Sequence, residues 1–296
     1  MRSHRDARAR TVAGVAFVLA GATTIQWSAA IVTPVLGAIG PSAATAWRYL
    51  IGAFVLVALT RPRVRHWSRS QWLGATALGV STAVMSFCFY QSIARITLGS
   101  AVAIEYLGPF LVAALGRRTA RHLVLVAVAG AGVLALARPG GGVTLVGGLF
   151  ALGSGAGWAG YAFASRRVGH TTDGFQGLAV AMAIAAVLAS PFAVASVTRL
   201  FSHAAMTGRM ALVALMSIVV GFALEMQALR RIRPSVVSVV IALDPAVAFV
   251  VGWLLLGQTI STWDIVGLIC VVVAGVGVTY DVAKAGEALD LTGVGA

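Results

Sequence analysis

The chain has 296 residues, of which 59% are hydrophobic and only 10% are charged, and its formal net charge is +13. Soluble domains carry roughly 25% charged and about 45–50% apolar residues. This composition therefore excludes an ordinary soluble domain and is typical of a protein embedded in lipid.

Ten apolar stretches follow one another along the chain, separated by short polar breaks. Each is close to the roughly 20 residues that a helix needs to cross a bilayer core of about 30 Å. The first five predicted helices are approximately Thr11–Ile31, Ala43–Thr60, Trp72–Tyr90, Leu98–Leu115 and His122–Ala137. The second five are approximately Val146–Ser165, Phe175–Val197, Met210–Leu229, Val236–Gly257 and Trp263–Tyr280. The sequence predicts an all-α integral membrane protein with ten transmembrane helices.

The basic residues fall mainly on one side of these helices. With the N-terminus in the cytoplasm, 17 of the 22 lysines and arginines are cytoplasmic, four are outside, and Arg48 lies within a helix. Positively charged loops stay on the cytoplasmic side, so both termini are predicted to be cytoplasmic. This distribution also explains the positive charge without nucleic-acid binding.

The second half of the chain repeats the first. A shift of 136 residues aligns Gln91 with Gln227, Arg95 with Arg231, Leu107 with Leu243 and Pro109 with Pro245. A shift of 134 residues aligns the first predicted helix with the sixth. Because each half holds five helices, an odd number, the second half enters the membrane from the opposite side. Inverted repeats are typical of transporters that alternate access around a midplane site.

The repeat and the charge pattern together set the predicted domain boundaries. They are a basic cytoplasmic tail at 1–10, a first repeat at 11–137, a linker at 138–147, a second repeat at 148–281 and a cytoplasmic tail at 282–296. The linker contains Pro139 and three consecutive glycines, which favour a flexible joint.

Four ionisable residues lie within the predicted helices beyond their first turns, namely Arg48, Glu105, Glu225 and Asp244. A charged side chain at a helix centre costs roughly 2.5–3.5 kcal/mol on insertion scales, so each is a candidate for function. At about 1.5 Å per residue, the distances of Glu105 and Asp244 from flanking arginines place both acids about 15 Å deep. We expect both carboxylates at the midplane, facing one shared cavity and binding a substrate ammonium group or a proton.

Pro109 and Pro245 follow these acids closely and are predicted helix kinks. Each lacks an N–H, which frees the carbonyl four residues earlier, that of Glu105 in one helix and of Ile241 in the other. A freed carbonyl beside a carboxylate suits an ammonium group. The alternative is that the two carboxyl groups form structural hydrogen bonds between helices.

Arg48 and Glu225 each leave two interpretations open. An arginine so deep in the membrane needs a counter-ion, either the carboxylate of a substrate or a fixed salt bridge to Glu105 or Asp244. Glu225 lies near the cytoplasmic Arg230 and Arg231, so structural pairing competes with a role in transport.

Several aromatic and amide side chains are further candidates for lining the pathway. They are Tyr90, Gln91, Trp158, Tyr161 and Gln227. Helix packing explains each of them equally well. No ATP-binding, hydrolase or zinc-ligand motif is present, so we expect no cofactor, no metal and no enzymatic activity.

Segments of both halves resemble a known transporter family. In the first half they are FYQSIARI at 89–96, LGSAVAIE at 98–105, and Gly108-Pro109; in the second, ALGSGAGWAGY at 151–161, LEMQAL at 224–229, and Asp244-Pro245-Ala246. They resemble the drug/metabolite transporter superfamily, with two EamA-type repeats, and are most similar to its threonine and homoserine exporter branch. That branch usually has Glu where Asp244 stands, and it also carries an arginine at the position of Arg48.

The resemblance implies an inner-membrane exporter of small amino acids or related metabolites, driven by the proton gradient. We expect alternating access by rocking of the two halves, with protons and substrate excluding one another at Glu105 and Asp244. The alternatives are export of other metabolites or drugs, facilitated diffusion without proton coupling, a channel, and a membrane-embedded enzyme. The expected partners are a small-molecule substrate, protons and the lipid bilayer, while the oligomeric state is not predicted.

Overall fold

The computed structural model describes residues 2–108, 110, 119–138, 142–172, 175–221, 224 and 240–291. Every regular element in these ranges is a helix. The first six are α1 (Arg2–Ile39), α2 (Pro41–Thr60), α3 (Arg69–Ile93), α4 (Leu98–Glu105), α5 (Ala120–Leu136) and α6 (Leu145–Thr171). The next five are α7 (Gln176–Ala189), α8 (Val197–Phe201), α9 (Ala204–Ala214), α10 (Asp244–Leu256) and α11 (Thr262–Leu291). Short 3₁₀ turns at Val64–His66, Ser190–Phe192 and Val194–Ser196, and a π-helical turn at Leu215–Val220, complete them.

The helix ends follow local sequence signals. Gly40 adopts a φ of 86°, a conformation that glycine tolerates, and Pro41 then opens α2, where its missing N–H has no helical partner to lose. Ser68 and Gln71 form a reciprocal capping box at the start of α3. The α1 helix is longer than the predicted span, because Gly40 is the first residue that breaks it.

The described helices are long and apolar enough to cross a membrane in three places. These are Val12–Ile39, Pro41–Thr60 and Arg69–Ile93. A fourth span is present if the pair Gln176–Phe192 and Val194–Phe201, bent by 64°, is counted as one. Four further helices are also apolar but are shorter than these spans. The structure therefore agrees with an all-α membrane protein, while the count of ten helices stays a prediction.

The described chain forms two compact units. The first unit comprises Met1–Trp27, Thr97–Val143 and Val220–Ala296, and the second unit comprises Ser28–Ile96 and Thr144–Val219. Each unit therefore contains segments from both predicted repeats.

In the first unit, α4 packs against α10 and α5 packs against α11. Gly99 near the start of α4 meets Phe249, whereas Tyr106 just after its end bonds to Asp244 at the start of α10. The two helices are therefore antiparallel. In the second pair, Leu125 meets Gly277 and Leu136 meets Gly267, so α5 and α11 are also antiparallel.

In the second unit, α3 packs along α6 and also against α7, which in turn packs against α2. The contact of α3 with α6 is close because a side chain at Gly157 would place its Cβ 2.7 Å from the backbone nitrogen of Met85. Small residues at such contacts are typical of helix packing in membranes. Trp47 in α2 donates to Ser196 beyond α7, and the Arg63 amide beyond α2 donates to Gln176 at the start of α7. The α2 and α7 helices are therefore antiparallel.

Candidate functional site

The first unit contains a cluster around Asp244, which we call the acid cluster: Asp244, Gln26 and Tyr106. The side-chain amide of Gln26 donates to Oδ2 of Asp244 at 2.9 Å, and the Tyr106 hydroxyl donates to the same oxygen at 3.0 Å. Gln26 comes from α1 and Tyr106 from the end of α4, so donors from two other helices hold one carboxylate oxygen in place. This arrangement fixes the orientation of the carboxylate.

Two oxygens of the acid cluster have no donor. Oδ1 of Asp244 and Oε1 of Gln26 are buried and accept no hydrogen bond within the described residues. The Gln26 side chain is only 2% exposed. Buried acceptors without donors are unfavourable, and a group carrying several N–H donors, or a cation, would satisfy both. The acid cluster is thus equipped to bind positive charge.

Glu105 lies buried in the same unit, at the C-terminal end of α4. The next residue, Tyr106, is the one that donates to Asp244. Because α4 and α10 are antiparallel, the end of α4 that carries Glu105 lies beside the start of α10 that carries Asp244. A cavity shared by the two carboxylates stays a prediction.

Pro245 stands in the first turn of α10, directly after Asp244. A turn at residues 242–243 separates α10 from the helical residues before it. Proline is well tolerated there, because an N–H of the first turn has no helical acceptor. Asp244 therefore occupies the break of a helix. Pro109 lies outside the described residues.

The second unit contains a cluster around Arg48, which we call the arginine cluster: Arg48, Tyr49, Ser86 and Tyr90. Nη2 of Arg48 donates to Oγ of Ser86 at 2.8 Å and, more weakly, to the Tyr49 hydroxyl at 3.4 Å. The guanidinium carbon lies 5.1 Å from the ring centroid of Tyr49 and 5.3 Å from that of Tyr90. Both distances are within the range of cation–π attraction.

The arginine cluster contains buried hydrogen-bond donors that lack acceptors within the described residues. Nε of Arg48 and the Tyr90 hydroxyl are buried, and neither has a hydrogen-bond partner of normal geometry among the described residues. Within the same residues Arg48 forms no ion pair, and it contacts serine and tyrosine side chains. A fixed salt bridge from Arg48 to Glu105 or Asp244, the alternative to a substrate carboxylate, stays a prediction. The arginine cluster is equipped to bind an anion such as a carboxylate.

The remaining described candidates in the second unit have more ordinary surroundings. Gln91 donates to Ser42 at 3.0 Å and accepts from Arg95 at 2.7 Å, so its amide is engaged at both atoms. Trp158 and Tyr161 are partly buried on α6, the helix that packs along α3. Their predicted contribution to the pathway stays a prediction, as does that of Gln91.

Two candidates fall outside the part of the chain that the structure describes, namely Glu225 and Gln227. Among the described residues, no group of three or more His, Cys, Asp or Glu side chains could hold a metal ion. The two cysteines, Cys88 and Cys270, form no disulfide bond within the described residues.

The sequence reasoning missed four residues that the clusters contain, Gln26, Tyr106, Ser86 and Tyr49, although Tyr49 directly follows Arg48 in the sequence. Gln26 gave a usable signal, since an amide in an apolar helix calls for a partner. Tyr106 and Ser86 gave none, because tyrosine and serine are common in membrane helices for packing alone. Their roles depend on which helices lie beside Asp244 and Arg48.

Comparison with known proteins supplies independent findings. Residues 145–280 match the EamA-like transporter family. The chain is 30% identical to the threonine/homoserine exporter RhtA of Escherichia coli strain K12 over 94% of its own length and 95% of that protein. It is also 30% identical to the threonine/homoserine exporter RhtA of Salmonella typhimurium strain SL1344, over 90% of this chain and 91% of that one. A solved crystal structure with 16% sequence identity has a TM-score of 0.57 and covers 93% of this chain and 99% of its own, which shows the fold alone.

Proposed function

Because the chain belongs to the EamA-like transporter family, we propose that it exports small amino acids such as threonine and homoserine, or related metabolites, from the cytoplasm. It is an EamA-type exporter, and the relatives that it matches over nearly their whole length are named as exporters rather than enzymes. The structural observation that carries the amino-acid proposal is the acid cluster, in which Oδ1 of Asp244 and Oε1 of Gln26 are buried and accept no hydrogen bond within the described residues.

Taken separately, each cluster suits one charged group of an amino acid. An ammonium group donates several hydrogen bonds and requires acceptors, which the acid cluster offers at Asp244 and Gln26. A carboxylate accepts hydrogen bonds and requires donors, which the arginine cluster offers at Arg48 and Tyr90. Arginine binds carboxylates in a bidentate manner, so Arg48 is the residue that we propose for carboxylate recognition.

We propose that transport proceeds by alternating access and is coupled to protons. Glu105 and Asp244 bind a substrate ammonium group or a proton in turn, and because the two exclude one another, efflux is tied to proton entry. The position of Asp244 at a helix break supports this mechanism, since discontinuous helices supply binding sites in many transporters. Tyr90, Gln91, Trp158, Tyr161, Glu225 and Gln227 remain further candidates for the pathway.

The proposed topology is ten helices in two inverted repeats, in the bacterial inner membrane with both termini cytoplasmic. The antiparallel pairs support inversion, because α4 and α10 belong to predicted spans that the repeat makes equivalent, as do α5 and α11, and α2 and α7. Reporter fusions that are active only outside or only inside the cytoplasm test this topology. Cytoplasmic reporters should work at both termini, and an external C-terminus would contradict an even number of helices.

The experiment that tests the function is exchange in proteoliposomes. Purified protein is reconstituted with internal unlabelled threonine, homoserine or another small amino acid, and uptake of the labelled external compound is followed. Saturable counterflow of at least one amino acid is the expected result, and its absence for all of them would contradict the proposal. An imposed pH gradient, acidic on the side that receives substrate, should not change the rate in a facilitator but should drive net export in a proton-coupled carrier.

A further inference from the structure

We infer that Gln26 is a specificity-determining residue that, together with Asp244, binds the ammonium group of the exported amino acid. This inference deepens the proposed function and rests on it. Gln26 lies in α1 and would contact the ammonium group of the substrate. The geometry of the acid cluster supports this role.

The first step concerns the orientation of the Gln26 amide. Its nitrogen lies 2.9 Å from Oδ2 of Asp244, so the N–H₂ end faces the carboxylate, while the carbonyl oxygen Oε1 accepts no hydrogen bond within the described residues. The reverse orientation would place the amide oxygen against a carboxylate oxygen that already accepts from Tyr106 at 3.0 Å. Two acceptors in contact repel each other, so the observed orientation follows from the charge on Asp244.

The second step concerns what the two remaining oxygens require. Oε1 of Gln26 and Oδ1 of Asp244 are both buried without donors in the described residues. A proton on Oδ1 of Asp244 supplies one donor and removes the charge of the carboxylate, so a protonated Asp244 and a bound ammonium group are alternatives at these two oxygens. An ammonium group carries a charge for the carboxylate and further N–H donors for the amide, so it satisfies both oxygens.

The third step concerns selectivity. A buried site built from acceptors rejects a substrate analogue that lacks the donor, since the acceptors are then left unpaired. Gln26 is 2% exposed, so water does not replace the missing group at its surface. A substrate in which a hydroxyl replaces the α-ammonium group keeps the carboxylate but offers one donor and no charge. The site is therefore expected to discriminate between amino acids and 2-hydroxy acids.

The test uses the full-length protein in proteoliposomes and labelled L-threonine as the probe. Unlabelled L-threonine and its 2-hydroxy analogue, 2,3-dihydroxybutanoate, compete for counterflow. The wild type should prefer threonine by about tenfold or more. Gln26→Met, which has nearly the same length and no polar atoms, should raise the KM for threonine about tenfold and leave inhibition by the analogue nearly unchanged.

The matched control is Thr24→Val, two residues earlier on α1. The Thr24 hydroxyl donates to the carbonyl of Ala20 in its own helix at 2.7 Å. Its removal should therefore change neither the KM for threonine nor the inhibition by the 2-hydroxy analogue. A Gln26→Met protein with a lower maximal rate but an unchanged ratio of threonine to analogue would show a purely structural role and overturn the inference.

Two further outcomes separate the inference from the function on which it rests. A wild type that exchanges amino acids but treats threonine and the 2-hydroxy analogue alike would overturn the inference and leave the exporter standing, and no variant is needed for that result. Replacement of sodium by potassium should have no effect, and a strict sodium requirement with no preference for the ammonium group would instead assign the two oxygens to sodium. A stable wild type that exchanges no amino acid at all would overturn both.

Discussion

The acid cluster and the arginine cluster solve the same physical problem in opposite ways. Each places a charged side chain among apolar helices, and each holds it with neutral hydrogen-bonding groups rather than an opposite charge in the described residues. In the acid cluster the neighbours donate and acceptors are left over. In the arginine cluster Ser86 accepts, and the donors Nε of Arg48 and the Tyr90 hydroxyl are left over.

This difference indicates that the charges are held ready for a ligand rather than neutralised. A salt bridge within the protein would satisfy both partners and leave little for a substrate. Neutral partners fix the direction of each charged group without cancelling its charge. The comparison therefore predicts that a change of either charged side chain affects transport more than loss of a neutral partner, and the following variants test that order.

The largest effect is expected for Asp244→Asn, which keeps the size of the side chain and removes its charge. Hydrogen bonds to charged groups contribute about 1.5–3 kcal/mol, so the KM for threonine should rise by about tenfold to a hundredfold or more. Counterflow in proteoliposomes measures this change. Asp244→Glu restores the charge and should recover part of the activity. Equal activity of the Asp244→Asn and Asp244→Glu variants would show that transport does not require the charge of Asp244.

Arg48→Lys should show the next largest effect. Lysine keeps the positive charge but cannot reproduce the fork of donors or the stacking of a guanidinium on two tyrosine rings. We expect a rise in KM of about tenfold, with export of a substrate lacking the carboxylate less affected. Comparing threonine with threoninol as competitors of counterflow measures this. An Arg48→Lys variant with the wild-type KM would show that only the positive charge of Arg48 matters, and not the geometry of its guanidinium group.

A smaller effect is expected for Tyr106→Phe. This change removes one of the two donors to Oδ2 of Asp244 and leaves the Gln26 amide in place. A single hydrogen bond of this kind corresponds to roughly a threefold to tenfold change in KM. Gln26→Met combined with Tyr106→Phe should lose more than the sum of the separate effects in free energy, because the carboxylate then loses both fixed donors. Strict additivity would show that the two donors act independently.

The smallest effect is expected for Ser86→Ala. Ser86 receives hydrogen bonds from both Arg48 and Tyr49, but the cation–π contacts of Arg48 remain when the hydroxyl is removed. We expect a change in KM of less than about fivefold, together with a small loss of thermal stability in detergent. A loss as large as that of Arg48→Lys would show that Ser86, rather than the tyrosine rings, positions the guanidinium.

The sequence predicted the class of the fold and the charged centres of both clusters, but not their neighbours. Apolar runs of membrane-spanning length and isolated charges within them are local signals, so Arg48, Glu105 and Asp244 could be identified from the chain alone. Gln26 lies 218 residues from Asp244. Such a pairing depends on which helices pack together, and small-residue contacts in membranes carry little sequence signal for that choice.

The helix ends show the same limit on a smaller scale. The boundary at Thr60 and the start of α4 at Leu98 were predicted as observed, because polar or turn-forming residues mark them. The continuation of α1 to Ile39, past Pro34, was not, since a proline inside an apolar run usually ends a helix. Each compact unit combines segments from both halves of the chain, and no local sequence signal predicted that combination.

The most direct test of the account is efflux of preloaded labelled threonine from cells that express the wild type, Asp244→Asn, Glu105→Gln or Thr24→Val at matched membrane levels. The account predicts rapid efflux with the wild type and Thr24→Val, and little above background with Asp244→Asn and Glu105→Gln. Full efflux with both carboxyl variants would contradict a mechanism based on buried carboxylates.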